Sequence, residues 1–447
     1  MNLLPGKLIA VSAIILVTCL AAGCAINPVS GRPEVTLISE NTERELGTRE
    51  ALKVEQTMGL VQDPELVAYV ETLGGRLAAH SPRRDVDYTF HVVDMVEPNA
   101  FALPGGYVYV SRGLLALANS EDELAGVMGH EIAHVAARHA AQRVTATTAT
   151  APVRIATGIA GAVTGIVAPG VGETIAGVGQ VTSALVIAPY SRSQEREADR
   201  VGQEIVADAG WDPNGLSSML ETLGHEEALA SGEARQNSFF ATHPSMPERV
   251  SQTTEHAAEL KSAAANPIAR DRADLLAKLE GLLLGNDPAQ GVFIENQFLQ
   301  PILDFFLLFP AGWQNQNNHD FVAAKDPGGK GLVVVGIAGE GNDPVEVLRQ
   351  MEQKQGKKLL ENAEQKKING LQAVQMKATV DTSEGRMGAA ITWIAHKGLV
   401  FQIAGISPVE NFNDYQEVFS ATAHSFRPLT ESDSSRIKEA RLRIVRA

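Results

Sequence analysis

The sequence predicts an α+β protein: a mainly helical domain with a small sheet, followed by a smaller α/β domain. Three observations predict it. Apolar residues recur at helical spacing among charges from Ser39 to about Ala79 and from Ser120 to Arg143. Short β-rich runs lie between them at Tyr88–Val93 and Ala100–Val110. Composition then shifts after the turn-forming run Gly285-Asn286-Asp287-Pro288. A chain of 447 residues is too long for one core, and a hydrophobic share of 44% suffices to bury more than one. Aromatic residues make up only 5%, while Ala and Gly are plentiful, which favours closely packed helices over a β-sandwich.

The elements follow in chain order. Lys7 precedes an apolar run from Leu8 to Ala22, broken only by Ser12 and Thr18. It is shorter than the roughly 20 residues that span a bilayer and has the length of a signal-peptide core. It ends in Leu20-Ala21-Ala22-Gly23-Cys24, which resembles a bacterial lipobox, with Ala21 where leucine is commoner. Residues 1–23 are therefore expected to be a lipoprotein signal peptide and Cys24 the acylated mature N-terminus. Ala25, rather than Asp, follows the cysteine, and in lipoproteins this implies outer-membrane lipid as the anchor, with the chain on the periplasmic face. Cys19 and Cys24 are the only cysteines, so no disulfide is expected. An uncleaved anchor helix is the competing reading.

Asn27 to Arg32 reads as a turn-rich tether. Two helices follow, divided near Asp63-Pro64. Leu103-Pro104-Gly105-Gly106 is a turn feeding the strand Tyr107–Val110. Ser120 with Glu123 three residues on reads as a capping box that opens one amphipathic helix to Arg143. Residues 145–189 are dominated by Ala, Gly, Thr and Val and suggest a helical hairpin near the active site, touching membrane or a partner. Helices are expected from Ser193 to Ala209, from Pro213 to about Leu260, and on to roughly Leu284. The domain limits are then 24–285 for the helical part and 290–430 for the α/β part. The latter should hold a helix at Pro344–Gln355, strands near 371–380, 388–396 and 399–405, and a closing helix from about Asn413 to Ser425. Residues 431–447 form a basic tail, expected to be helical from Ser434.

The net charge of −15 excludes nucleic acid as a partner, because no basic surplus is available to replace phosphate counterions.

The run that carries chemistry is His130-Glu131-Ile132-Ala133-His134. Residues four apart on a helix share a face, so both imidazoles can bind one Zn²⁺. Glu131 lies between them, able to reach a water on the metal without being a ligand. Three polar residues on a helix surface are the alternative. His139 lies about 140° around a continuous helix from His134 and so cannot be the third ligand; it reads as a hydrogen-bonded structural residue. In Glu195-Arg196-Glu197-Ala198-Asp199, Glu195 and Asp199 share a face and Glu197 points away. Glu195 would be the third ligand and Asp199 an acceptor for a ring N–H that fixes a histidine. Standing alone, that run also fits a solvated charged face.

Together these motifs resemble the zinc metallopeptidase family that includes HtpX, BepA and the CAAX prenyl endopeptidase. The resemblance extends to Asn99-Ala100-Phe101-Ala102-Leu103-Pro104-Gly105-Gly106 upstream and to Thr242-His243-Pro244 with Arg249 downstream, and covers roughly residues 27–265. Clear transmembrane helices are lacking, which places the chain nearer the periplasmic BepA-like branch. The resemblance implies a gluzincin-type fold, one zinc held by His130, His134 and Glu195, and Glu131 as general base. It implies two roles for His243, filling the open zinc position at rest or donating to the developing oxyanion, and for Arg249 contact with that loop or with substrate. It implies too that the strand from Asn99, through Ala100 and Phe101, pairs with an extended polypeptide. The substrates expected are unfolded or misassembled periplasmic proteins, with membrane-protein assembly machinery as a further partner.

The 290–430 domain vaguely resembles small domains of the PsbP type, without an implied function. An outer-membrane assembly factor acting by binding, with little proteolysis, is the alternative from another functional class; a zinc hydrolase of peptidoglycan peptides is a third.

Overall fold

The computed structural model describes residues 24–36, 38–150, 189–229, 238–244, 247–318, 321–355, 358–382 and 385–445. The expected signal peptide and most of the expected 145–189 hairpin lie outside the described residues. The tether is a hairpin, in which β1 (Cys24–Ile26) pairs antiparallel with β2 (Pro33–Val35) around Asn27. Asn27 Oδ1 accepts from the Val29 and Ser30 amides and closes the turn.

Helix α1 (Glu40–Met58) starts at Ser39, whose hydroxyl accepts from Thr42 N, and α2 (Pro64–Ala78) starts at Asp63 with Pro64 in its first turn. A three-stranded sheet follows, of β3 (Thr89–Val93), β4 (Ala100–Leu103) and β5 (Tyr107–Ser111). Its order is β3-β5-β4, with β3 parallel and β4 antiparallel to β5, so β4 is an edge strand. Beyond the short α3 (Arg112–Leu117), α4 (Glu121–Ala136) runs through the core. Ser120 caps it, but the Glu123 carboxylate accepts from Asn119 N, one residue before the cap, so half of the expected capping box forms. Buried Glu121 anchors this end, accepting from Tyr69 Oη, Trp211 Nε1 and the amides of Ile268 and Ala269.

The expected single helix from Ser120 to Arg143 is two. Arg138 adopts a left-handed conformation (φ 57°), and α5 (His139–Thr150) begins after it. The break is held from a distance: buried Glu43 on α1 accepts from Arg138 Nε at 2.8 Å and from Arg83 at 3.0 Å. Next come α6 (Arg192–Ala209), α7 (Gly215–Leu229), α8 (Phe239–Thr242), α9 (Arg249–Glu259) and α10 (Arg272–Leu279). The expected helix to Leu284 stops at Leu279, because Gly281 turns the chain (φ 85°) into β6 (Leu283–Leu284).

Helices α4 and α6 cross at glycines. A Cβ on Gly129 would stand 2.9 Å from Gly202 O, and one on Gly202 would stand 2.7 Å from His130 N. Gly126 and Gly215 likewise bring α4 and α7 into backbone contact.

The C-terminal region opens with a small sheet, β7 (Val292–Ile294), β8 (Gln297–Gln300) and β9 (Phe305–Leu308). A seven-stranded sheet follows, of β10 (Gln314–Asn317), β11 (Phe321–Lys325), β12 (Leu332–Glu340), β13 (Glu364–Ile368), β14 (Leu371–Thr382), β15 (Gly385–His396) and β16 (Leu399–Pro408). It is wholly antiparallel, in the order β10-β11-β12-β16-β15-β14-β13. Tight hairpins rather than crossover helices join its longest strands. Helix α11 (Pro344–Gln355) packs on one face through Val347, Leu348 and Met351, and α12 (Phe412–His424) on the other through Phe419 and Ala423.

The tail is not the helix expected from Ser434. After one turn, α13 (Glu431–Ser434), it extends into β17 (Ala440–Arg441), which pairs with β6, and Leu442 N donates to Leu282 O. Among the described residues, no helix is long and apolar enough to cross a membrane.

The glycine crossing carries a prediction. Gly202→Ala forces α4 and α6 apart and should destabilise the fold by about 1–3 kcal/mol. Denaturant unfolding reads this, and an unchanged midpoint would show the crossing to be slack.

Candidate metal centre

Four buried side chains converge where α4, α6 and the end of α8 meet: His130, His134, Glu195 and His243, with one ligand atom from each lying within 4.8 Å of the others. The two α4 histidines are one turn apart, as their spacing predicts, and their Nε2 atoms stand 3.0 Å from each other. His243 Nδ1 lies 3.2 Å from His130 Nε2 and 3.1 Å from Glu195 Oε1. His134 Nε2 is 3.4 Å from Glu195 Oε1. Zinc ligands about 2.0–2.1 Å from a tetrahedral ion stand roughly 3.3 Å apart, so these spacings suit one zinc.

Helix α6 delivers Glu195 in its first turn. Ser191 and Gln194 form a reciprocal capping box there, at 3.3 Å and 3.0 Å. One turn on, Asp199 Oδ1 stands 2.9 Å from His130 Nδ1. Arg249, the first residue of α9, grips both carboxylates. Its Nε and one terminal nitrogen donate to Asp199 at 2.9 Å and 2.6 Å, and the other stands 2.9 Å from Glu195 Oε2. Glu131 is fully buried, and neither of its oxygens has a hydrogen-bond partner among the described residues; His243 Nε2 stands 3.3 Å from Oε1.

The model of peptidase family M48 matches residues 64–257. Metalloprotease LoiP of Escherichia coli K12 is 30% identical over 186 residues, which span 42% of this chain and 68% of LoiP. The chain belongs to peptidase family M48. A putative β-barrel assembly-enhancing protease of Vibrio cholerae is 32% identical over 60% of this chain and 57% of its own length. The mitochondrial metalloendopeptidase OMA1 of Schizosaccharomyces pombe is 29% identical over 51% of this chain and 65% of its own. The chain spans about half the length of the β-barrel assembly-enhancing proteases it matches. A likeness to cyanobacterial PsbP of Synechocystis, at 16% identity and a TM-score of 0.25, covers 31% of this chain and 95% of that one.

The donor set fits the zinc used by M48 peptidases. Three imidazoles and a carboxylate are zinc donors. Of the three buried carboxylates Glu131, Glu195 and Asp199, the Arg249 guanidinium pairs with the last two, leaving a surplus of negative charge that a dication offsets. Burial acts to raise the Glu195 carboxyl, but His243, His134 and His130 outweigh it and hold the group well below the usual carboxylate range. Burial also works against ionised Asp199, where Arg249 and His130 prevail and lower it. For Glu131 burial wins and the carboxyl is pushed up, while His134 is pushed well below the ordinary imidazole value by the same cause.

Just before β4, Asn99 N donates to Ser111 Oγ at 2.9 Å and Asn99 O accepts from Ser111 N at 2.9 Å. Ala100 faces the α4 side of the small sheet, and Phe101 stacks on Tyr109 on the other side. Cys24 lies in β1, opposite Val35.

Three neighbours of the centre escaped the sequence. Tyr190 stacks on His134 with ring centroids 3.7 Å apart, and Phe239 stacks on His243 at 4.3 Å. His139, set aside as structural, touches His134 because the helix breaks before it. The only available signal for Phe239 was its place just before Thr242-His243-Pro244; Tyr190 offered none.

Removing Arg249 leaves Asp199 and Glu195 buried without their cation. Arg249→Leu should destabilise the protein by about 3–5 kcal/mol in urea unfolding. Arg249→Lys, which keeps the charge but loses the fork, should recover only part of it.

Proposed function

We propose that this chain is a zinc metalloendopeptidase acting on unfolded or misassembled polypeptides at the periplasmic face of the outer membrane, where acylated Cys24 anchors it. One observation carries the reading: a fully buried, unsatisfied Glu131 beside a quartet of zinc donors. His130, His134 and Glu195 hold the ion, and Asp199 and Arg249 orient and neutralise that set. A zinc ion bound there polarises the scissile carbonyl and acidifies water. Glu131 takes the proton from the attacking water on a carboxylate oxygen and passes it to the leaving amide nitrogen. Its raised pKa suits both halves of that exchange.

His243 is the latch of the resting state. Its Nδ1 occupies the fourth place of the quartet and its Nε2 faces Glu131, so both the ion and the base are covered. The latch is tied to the edge strand. Phe239 stacks on the His243 ring, and its amide donates to Pro98 O at 3.2 Å, just before β4. An extended polypeptide that adds to β4 competes for that carbonyl and loosens α8, drawing His243 out. Backbone pairing of this kind favours unfolded chains over one cleavage sequence.

The name of the β-barrel assembly-enhancing relatives supports a second reading, in which binding within an assembly pathway matters more than hydrolysis. Glu131→Gln separates the two. It should retain zinc by metal analysis and lower the rate of casein cleavage by about 10²–10⁴-fold. Glu195→Ala should lose zinc as well. Complementation by Glu131→Gln at the parental level would favour the binding reading. His243→Ala should raise basal cleavage; an unaltered rate removes the latch.

A further inference from the structure

His139 is fully buried and stands between the metal site and the surface. Its Nδ1 is 2.8 Å from His134 Nδ1, and its Nε2 is 3.0 Å from Glu197 Oε2. A carboxylate can only accept, so the proton between His139 and Glu197 sits on His139 Nε2. In a neutral imidazole the other nitrogen is then an acceptor. The contact between the two Nδ1 atoms holds one proton, which therefore belongs to His134. His134 Nε2 keeps its lone pair, and it points at His130 Nε2 and Glu195.

We infer that Glu197 and His139 form a relay that fixes the tautomer and ring plane of His134, presenting Nε2 to the metal. His139 is a positioning residue. Asp199 does the same for His130 in a single step, at 2.9 Å. The two ligands differ for an electrostatic reason. A carboxylate in the place of His139 would add another buried negative charge beside Glu195 and Glu131. The intervening imidazole transmits an acceptor inward while the charge stays on Glu197, whose side chain is 23% exposed. Tyr190, stacked on the His134 face, holds the same ring plane.

The inference rests on zinc binding by His134, and the test keeps the two apart. The full chain is titrated with zinc against a chromophoric chelator, and the melting temperature of the metal-free protein is recorded alongside. His139→Leu removes the acceptor and should weaken zinc binding by about 10–100-fold. His139→Asn places an amide oxygen where Nδ1 was and should stay close to the parent. Glu197→Ala frees the His139 proton to move and should weaken binding, by less than His139→Leu. Parental affinity in His139→Leu, or an Asn variant as weak as the Leu variant, overturns the relay. A role in folding alone would lower the metal-free melting temperature without separating Asn from Leu. Should His139→Leu not fold, His139→Gln replaces it, because its amide reaches the Nε2 position instead; parity of Gln and Asn then overturns the relay. A parent that binds no zinc refutes the metallopeptidase reading and is judged on the parent alone.

Discussion

The site depends on how closely α4 and α6 approach. Gly129 and Gly202 face each other at the crossing, so backbone meets backbone with no side chain between. One residue after Gly129 comes His130, and Asp199 lies three residues before Gly202. The contact that permits the crossing thus also sets the distance between the imidazoles and the carboxylates. A wider spacing would leave Glu195 and Asp199 short of their partners. The small-residue character of the sequence is then a functional constraint as well as a packing preference.

Close packing creates an electrostatic burden. It buries three carboxylates away from solvent, where an isolated charge is strongly disfavoured. Arg249 relieves part of this by bonding two of them at once, which a lysine's single ammonium could not do with the same fork geometry. Glu131 is left out of that compensation. Its want of a partner follows from its place on α4 between the two ligands, facing the cluster rather than the guanidinium.

Much of the site was legible because it obeys helical spacing. Four-residue separations in His130/His134 and in Glu195/Asp199 fix a shared face whatever the rest of the chain does. His139 was not legible, and the reason is specific. The angular argument assumes a continuous helix, but Arg138 breaks it, held by Glu43 from 95 residues earlier in the chain. Local propensity carries no trace of that contact. The tail failed for a similar reason: its basic composition suits a helix, while the unpaired backbone of Leu283–Leu284 offers a strand partner visible only after folding. In the C-terminal sheet, the three longest hairpin strands and both flanking helices could be read from alternation and periodicity. The short strands β7 to β11, with little room for alternation, could not.

The contacts that cover the metal centre come from outside its rigid frame. His130, His134 and Glu195 stand on helices whose backbones interlock. His243 instead follows the four-residue α8, and its position relies on a stacked Phe239 and on two backbone hydrogen bonds, Tyr190 N to Thr242 O and Phe239 N to Pro98 O. Each bond reaches a segment next to a functional element: Tyr190 precedes α6, and Pro98 precedes the edge strand. On the proposed reading, the donors that hold zinc are fixed by core packing, while the one that closes the site is fixed by bonds a polypeptide can replace. Such a division lets the latch move while the glycine crossing of α4 and α6, which carries the other three ligands, stays packed.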